Sequence, residues 1–484
     1  MRISPSDLQR MFHPESIAFI GVSRSGYRFG GLSFLSKYLE AGYQGRLYPI
    51  NPKAIEVLGV KAFPSLEALP EVPDLTMLAL PASKVPEILE ACGRFGIRHV
   101  HVLTSGFSEM NTEEGKALEA QVVSICRRHE ILLIGPNCMG AYSPAARLTA
   151  WGAIPGLPGT LGIISQSGGM TQRITEYTAS LGLGVGKAIS FGNGAVLNAV
   201  DFLEAFGQDD SIRVIGMYLE GMQDGRGFLE TAGRVGRRKP IVLLMGGVTS
   251  PGARTAASHT GAMAGNRDLT RAAMRQANII QVESVDELVD GLLAMSLIPR
   301  PETGGVFLIG GGGGNSVVHG DTCARQGLTV PSLSDGSMAM LRKIVPAAGS
   351  IAGNPLDFWM TYTDAACLGE LIDMAEEDPS ISIVLADRLI TRKAYHMPDS
   401  DPTPETIGYL KGRRGKKPVV LVVDSEGGDP ELASKGANLR AAYGNAGYAA
   451  FPTVLRAAKA LSGLCRYYER VMSKRHAEPD NPQP

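Results

Sequence analysis

One imidazole in this 484-residue chain stands where chemistry is easiest to imagine. His259 lies in a run of small residues from Gly246 to Gly265 that holds five glycines and a proline. Such a composition suits a loop that packs closely or moves, and a histidine in it can act as base, nucleophile or carrier of a transferred group. Local composition alone equally suits a Gly-rich connection with an incidental histidine. A carboxylate stands at the end of another apolar run, in Met217-Tyr218-Leu219-Glu220-Gly221. There Glu220 is either solvated or placed to hold an imidazole's Nδ1–H and leave Nε2 free to react. A third element, Ser165-Gln166-Ser167-Gly168-Gly169, ends a strand and begins a helix. Its hydroxyls and bare N–H groups make either an anion site or a plain serine cap.

Other strand ends carry small or polar residues. Gly21-Val22-Ser23-Arg24-Ser25-Gly26 is not a GxGxxG fingerprint, yet it sets backbone N–H groups before a helix, as a pyrophosphate needs. Arg24, Arg28 and Lys53 can add positive charge. After Ile50 stands Asn51-Pro52-Lys53, with no acid where the ribose diol of NAD is usually read, which favours a phosphorylated nucleotide over NAD. A nucleotide-free domain of the same fold is the alternative. Pro81-Ala82-Ser83, Thr104-Ser105-Gly106-Phe107 and Gly135-Pro136-Asn137-Cys138 complete this set. Gly310 to Gly314 with Asn315-Ser316 is a phosphate cradle or a packing turn, and Gly353 to Asp357 a turn with a capping aspartate. His99 and His101 alternate along a strand as structural residues do. The other histidines lack partners at metal-ligand spacing, so no metal site is expected on this chain alone.

The elements that must position these residues recur along the chain. Strand-length apolar runs at residues 16–23, 46–50, 75–80, 100–104 and 131–134 alternate with helical stretches. A second set follows at 161–165, 185–190, 214–219, 241–245 and 279–282, and a third at 306–310, 328–330, 381–385, 419–423 and 448–452. Alternation of this kind predicts an α/β protein of three consecutive doubly wound parallel-sheet units, and the length agrees with about three domains. Pro- and Gly-rich links near 154–159 and 299–305 set the expected boundaries at 1–150, 151–300 and 301–470, with a flexible tail over 471–484.

Composition removes several classes of function. Net charge is −1 without long basic or acidic blocks, so neither nucleic acid nor an anionic membrane is expected as a partner. Six scattered cysteines form neither a disulfide framework nor a zinc pattern. The start lacks a signal peptide's apolar segment and no apolar stretch approaches about 18 residues, so a cytoplasmic protein is expected.

These pieces, in this order, resemble the ADP-forming acyl-CoA synthetases, relatives of the succinyl-CoA synthetase α subunit. The resemblance spans roughly residues 8 to 465 and is sharpest where Gly252-Ala253-Arg254 leads into Ser258-His259-Thr260-Gly261 and Ala264-Gly265. It implies a Rossmann-like CoA-binding domain followed by two flavodoxin-like ligase-CoA domains. It implies a reversible acid–CoA ligase in which ATP drives formation of an acyl phosphate and CoA displaces the phosphate. His259 would carry the phosphoryl group, with Glu220 orienting it, and Ser165, Ser167, Gly168 and Gly169 would hold phosphate. Coenzyme A would lie against Gly21, Val22, Ser23, Arg24, Asn51, Pro52, Lys53, Pro81, Ser105, Asn137 and Cys138.

Two departures refine the expectation. No ATP-grasp domain is visible, so ATP/ADP and Mg would sit on a separate ATP-grasp β subunit, in a heterodimer or heterotetramer. Gly192-Asn193-Gly194-Ala195 lacks the lysine often found after the asparagine, and Val196-Leu197-Asn198 replaces an acidic run. That shifts the expected acid away from acetate, towards a larger, aromatic or extra-anionic one. A CoA-binding sensor or scaffold without turnover and a related acyl or carbamoyl transferase are the alternatives.

Overall fold

The computed structural model describes residues 2–22, 30–149, 156–252, 254, 267–310, 312–346, 350–390, 401–425 and 429–477. The chain divides into two compact units, Met1–Ala179 with Gly184–Leu288, and Ser180–Leu183 with Val289–Pro484.

The first unit holds two sheets. After helix α1 (Pro5–Phe12) come β1 (Ser16–Ile20), α2 (Gly31–Glu40), β2 (Arg46–Ile50), a hairpin of β3 (Glu56–Val57) and β4 (Val60–Lys61), and β5 (Leu75–Leu78). Then follow α3 (Val85–Phe95), β6 (His99–Val102), α4 (Glu113–Arg128) and β7 (Leu132–Ile134). The parallel sheet runs β2-β1-β5-β6-β7 and reverses its winding between β1 and β5. β1, β5, β6 and β7 are buried throughout because helices cover both faces, which is why they appear in the sequence as unbroken apolar runs. The two histidines in β6 are structural. His99 bonds Asp7 at 2.9 Å and the Asp74 carbonyl at 3.0 Å. His101 bonds the Cys138 carbonyl at 3.0 Å, and burial pushes its pKa down to about 4.

The second sheet takes β9 (Pro158–Ser165), β10 (Val185–Ser190), β11 (Val214–Leu219), β12 (Ile241–Met245) and β13 (Ile280–Val282). Helices α5 (Gly168–Ser180), α6 (Ala199–Gln208), α7 (Gly225–Val235), α8 (Arg267–Gln276) and α9 (Val285–Leu297) accompany them. Its order, β13-β12-β11-β9-β10, repeats the winding of the first sheet, with the reversal between β9 and β11. One edge strand was not anticipated. Strand β8 (Gly140–Tyr142) pairs antiparallel with β10, so residues that follow the first sheet in sequence close the edge of the second. Three residues with a glycine among them carry too little pattern to be recognised as a strand.

The second unit contains β14 (Val306–Gly310), α10 (Gly313–Arg325), α11 (Asp335–Ile344), β15 (Leu356–Asp357), α12 (Ala365–Glu377) and β16 (Ile383–Ile390). It continues with α13 (Thr403–Gly412), β17 (Val419–Ser425), α14 (Pro430–Asn445), β18 (Ala450–Phe451) and α15 (Val454–Ala477). The order β15-β14-β16-β17-β18 is the same winding a third time. The strand expected at 328–330 does not form. Thr329 makes a single bridge to Gly305, and Pro331 has no N–H with which to extend a ladder. The edge place is taken by Leu356–Asp357, expected to be only a turn, and the Asp357 side chain, instead of capping that turn, accepts from the Gly312 N–H at 2.6 Å. No described helix is long and apolar enough to cross a membrane.

Strand β16 carries a carboxylate into this core. The Asp387 side chain is 3% exposed, lies 3.6 Å from His319 Nδ1, and has no hydrogen-bond partner for Oδ1 among the described residues. Burial, with Asp424 adding to it, pushes its pKa up to about 7. At this group the folded protein therefore keeps a proton that the unfolded chain releases near pH 4, and the Asp387 contribution to stability falls as pH rises from about 4 to 7, by at most ~1.4 kcal/mol per unit. Burial also favours the neutral form of His319, which titrates in the opposite sense. The Asp387→Asn variant keeps His319. Asp387→Asn is expected to be more stable than the parent at pH 8 and about equal to it at pH 4, as measured by urea unfolding.

Candidate active site

In an open parallel sheet the crevice lies beyond the C-terminal strand ends where the winding reverses. The first unit has two such places. In the first sheet a cleft of about 380 Å³ opens beyond β1, β2 and β5, lined among others by Gly21, Val22, Asn51, Pro52, Ser65 and Leu80. Gly21 has φ +93°, and a Cβ there would overlap the Ala79 carbonyl, so only glycine lets the two strand ends approach. The Asn51 amide donates to the Val22 carbonyl at 2.8 Å, and its Oδ1 accepts from the Lys53 N–H at 2.9 Å. Asn51 thus braces the rim from within, while the Lys53 side chain is exposed. Ser23 and Arg24 lie outside the described residues.

The other expected contacts of this sheet do not line that cleft. Pro81 starts the short turn before α3, and Ser105 is exposed after β6. Asn137 bonds through its N–H to the Thr104 carbonyl at 2.9 Å. The Cys138 thiol is buried 3.8 Å from the Val102 carbonyl, and burial pushes its pKa above the ordinary thiol range.

At the second reversal, between β9 and β11, Ser165, Ser167, Gly168 and Gly169 close β9 and open α5, and Glu220 follows the neighbouring β11. Serine capping accounts for the hydroxyls. Ser165 Oγ accepts from the Ser167 N–H at 3.1 Å and donates to the Ser167 carbonyl at 2.9 Å, and Ser167 Oγ accepts from the Met170 N–H at 3.3 Å. The start of α5 still faces open space, because a Cβ on Gly169 would meet nothing within 4 Å. The capping and anion-site readings are therefore compatible, with the hydroxyls shaping the loop and backbone dipoles left for a ligand.

Gln166 is the residue whose importance the sequence concealed. Its backbone N–H reaches the Tyr218 carbonyl at 3.1 Å, and its side-chain Oε1 accepts from the N–H groups of Glu220 and Gly221. One amide side chain therefore joins the ends of β9 and β11. Tyr218 donates its hydroxyl to Glu220 Oε1 at 3.1 Å, and burial together with that carboxylate raises the phenol's pKa. Among the described residues, Glu220 Oε2 is buried without a partner. A carboxylate oxygen in that state is matched to an incoming N–H donor.

Strand β12 leads towards the histidine. Leu219 pairs with Met245, and the Gly246 N–H donates to the Leu219 carbonyl at 2.7 Å, so the chain leaves β12 beside Glu220. A Cβ on Gly246 would lie 3.0 Å from the Tyr218 hydroxyl and 3.4 Å from Glu220 Cγ. His259 itself lies outside the described residues. Among the described residues no group of three or more His, Cys, Asp or Glu is arranged to hold a metal ion.

Replacing Gln166 by leucine keeps its bulk but leaves the Glu220 and Gly221 N–H groups without their acceptor. A loss of about 1–3 kcal/mol in unfolding free energy is expected, read from the urea midpoint.

Comparison with known proteins agrees with this fold. Residues 15–144 match the CoA binding domain, and residues 158–295 match the succinyl-CoA ligase like flavodoxin domain. The chain is 32% identical over 465 residues to the alpha subunit of the ADP-forming acetate–CoA ligase I of Pyrococcus furiosus, covering 95% of this chain and 97% of that one. It is 34% identical over 379 residues to the ADP-forming acetate–CoA ligase I of Archaeoglobus fulgidus, where it spans about half, 54%, of the relative's length. Among solved structures, the dinucleotide forming acetyl-coenzyme A synthetase 1 of Ca. Korarchaeum cryptofilum, in complex with phosphate and ADP, superimposes with a TM-score of 0.84. Identity there is 31%, over 98% of this chain and 99% of the other.

Proposed function

The chain belongs to the family of ADP-forming acyl-CoA synthetases, and on that premise we propose that it is the α subunit of an acid–CoA ligase working through a phosphohistidine. The observation that carries the proposal is the buried Glu220 Oε2, which has no partner among the described residues, beside the point where the chain leaves β12. Accepting the imidazole Nδ1–H there would fix the tautomer and direct Nε2 outward.

The reaction then runs in three transfers. His259 Nε2 attacks the terminal phosphorus of ATP, forming a P–N bond as the P–O bond to ADP breaks. A carboxylate oxygen of the acid attacks that phosphorus, forming the acyl phosphate and releasing neutral His259. The CoA sulfur attacks the acyl carbon, the C–S bond forms, and phosphate leaves with the C–O bonding pair while the thiol proton passes to phosphate or solvent. Every step is reversible. A phosphoramidate stores transfer potential yet remains open to nucleophiles, so one histidine can serve two pockets. The N–H groups at the start of α5 would hold the phosphate with fixed dipoles, and Glu220 would offset the positive charge that Nδ1 gains on phosphorylation. Coenzyme A would enter by the cleft of the first sheet. ATP, ADP and Mg would be held by an ATP-grasp β subunit.

The test is co-expression with an ATP-grasp partner and incubation with γ-labelled ATP. Acid-labile phosphate is expected on His259 and is lost in His259→Ala. Glu220→Gln is expected to lower turnover by about 10²–10³, the range found when one preorganised electrostatic partner is removed. Acyl-CoA formation by His259→Ala would overturn the relay. A panel of acids with CoA and ATP, read as ADP release, identifies the substrate.

A further inference from the structure

Asn193 gathers four strand-end loops of the first unit, and nothing in the transfers above uses it. Its residue is 8% exposed. The side-chain Nδ2 donates to Glu109 Oε2 at 2.6 Å and Glu119 Oε2 at 2.8 Å, with Ser108 Oγ at 3.4 Å. Two carboxylates thus take the two hydrogens of one amide. Glu109 is itself buried and accepts from the N–H groups of Gly106, at 2.6 Å, and Phe107, at 3.2 Å, which binds the loop after β6 into the same cluster. Asn193 Oδ1 lies 3.4 Å from Asn137 Nδ2, and its N–H reaches the Pro136 carbonyl at 3.1 Å, taking in the loop after β7. Its carbonyl accepts from Gln223 Nε2 at 3.1 Å, in the loop that follows Glu220.

The backbone already secures the Phe191–Gly194 loop. The N–H groups of Ala195 and Leu197 bond the carbonyls of Gly135 and Leu133 at 3.1 and 3.3 Å. Folding the loop therefore does not require a buried amide clamped by two charged groups. What the side chain adds is a link to a different loop, the one bearing Ser105 in the first sheet. Charge-assisted bonds of this length are the strong ones, and they fix direction as well as distance.

We propose that Asn193 is a positioning residue for the thiol-transfer step. It locks the Ser105 and Asn137 loops of the CoA-binding sheet against the loop that follows Glu220, so that the sulfur delivered by the first sheet meets the acyl carbon held at the second. The proposal rests on the ligase reading above. In that step the C–S bond forms, the C–O bond to phosphate breaks, and phosphate carries away the electron pair. Phosphorylation of His259 by ATP needs no CoA and lies outside this residue's influence.

The test uses the complex with its ATP-grasp partner and measures the two half-reactions separately. Asn193→Asp sets a third carboxylate against Glu109 and Glu119. Labelling of His259 by ATP is expected to stay within about twofold, while kcat/KM for CoA falls about 100-fold, the scale of a displacement near 1 Å. Adding Glu109→Gln restores a donor facing Asp at 193, while the remaining oxygen keeps the Gly106 bond, and should recover activity to within about tenfold. Asn193→Ala, free of added charge, is expected to show the same split and decides the matter if Asn193→Asp does not fold. Parallel loss of both half-reactions in a folded variant, or kcat/KM for CoA within twofold of the parent in both variants, overturns the proposal. A parent complex that takes up no phosphate overturns the His259 reading, and this proposal with it.

Discussion

The constraint on which the candidate site depends is the reversal of winding between β9 and β11. Two parallel neighbours whose connections leave to opposite faces must separate their loops at the C-terminal end, and the gap so formed is the crevice. The Gln166 side chain spans that gap by accepting from the backbone of Glu220 and Gly221. Without a bridge of this kind the start of α5 and the carboxylate of Glu220 would be two unrelated loop ends. With it, the loop that opens α5 is tied to the backbone of Glu220, and β12 runs alongside β11.

The three sheets share one winding but treat buried polarity differently. At the first reversal the polar groups satisfy one another, with Asn51 bonded to Val22 and Lys53, and the cleft stays open. At the second, one carboxylate oxygen of Glu220 has no partner among the described residues. In the third sheet Asp387 is left over, and low polarity raises its pKa rather than a donor satisfying it. The same winding therefore leaves an open cleft, an exposed helix start beside a carboxylate, or a buried acid, depending on which side chains the strand ends bring.

Legibility followed the length and regularity of the signal. Continuous apolar runs such as Ile241–Met245 and Val419–Val423 were plain in the sequence because helices bury both faces of a parallel sheet and no alternation remains to confuse the period. Short pieces failed. Leu328–Val330 looked like a strand but is cut off by Pro331, whereas Gly140–Tyr142 and Leu356–Asp357 pair only because longer strands are already there to receive them. At the site, Ser165 to Gly169 and Glu220 were visible as small or charged residues closing apolar runs. Asn193 was visible only as a residue in a glycine loop, and Glu109 and Glu119 resemble any acids around a helix start.

Sequence by itself determined the repeated α/β alternation, the placing of polar residues at strand ends, and the family pattern around His259, because these rest on composition and near-neighbour spacing. Tertiary structure alone decided which strand ends became neighbours, that Gln166 rather than a serine joins the two sides of the crevice, and that acids 84 and 74 residues away converge on the Asn193 amide. Those are contacts between groups distant in the chain. Their energies exist only once the hydrophobic strands have collapsed and water has been removed from between them.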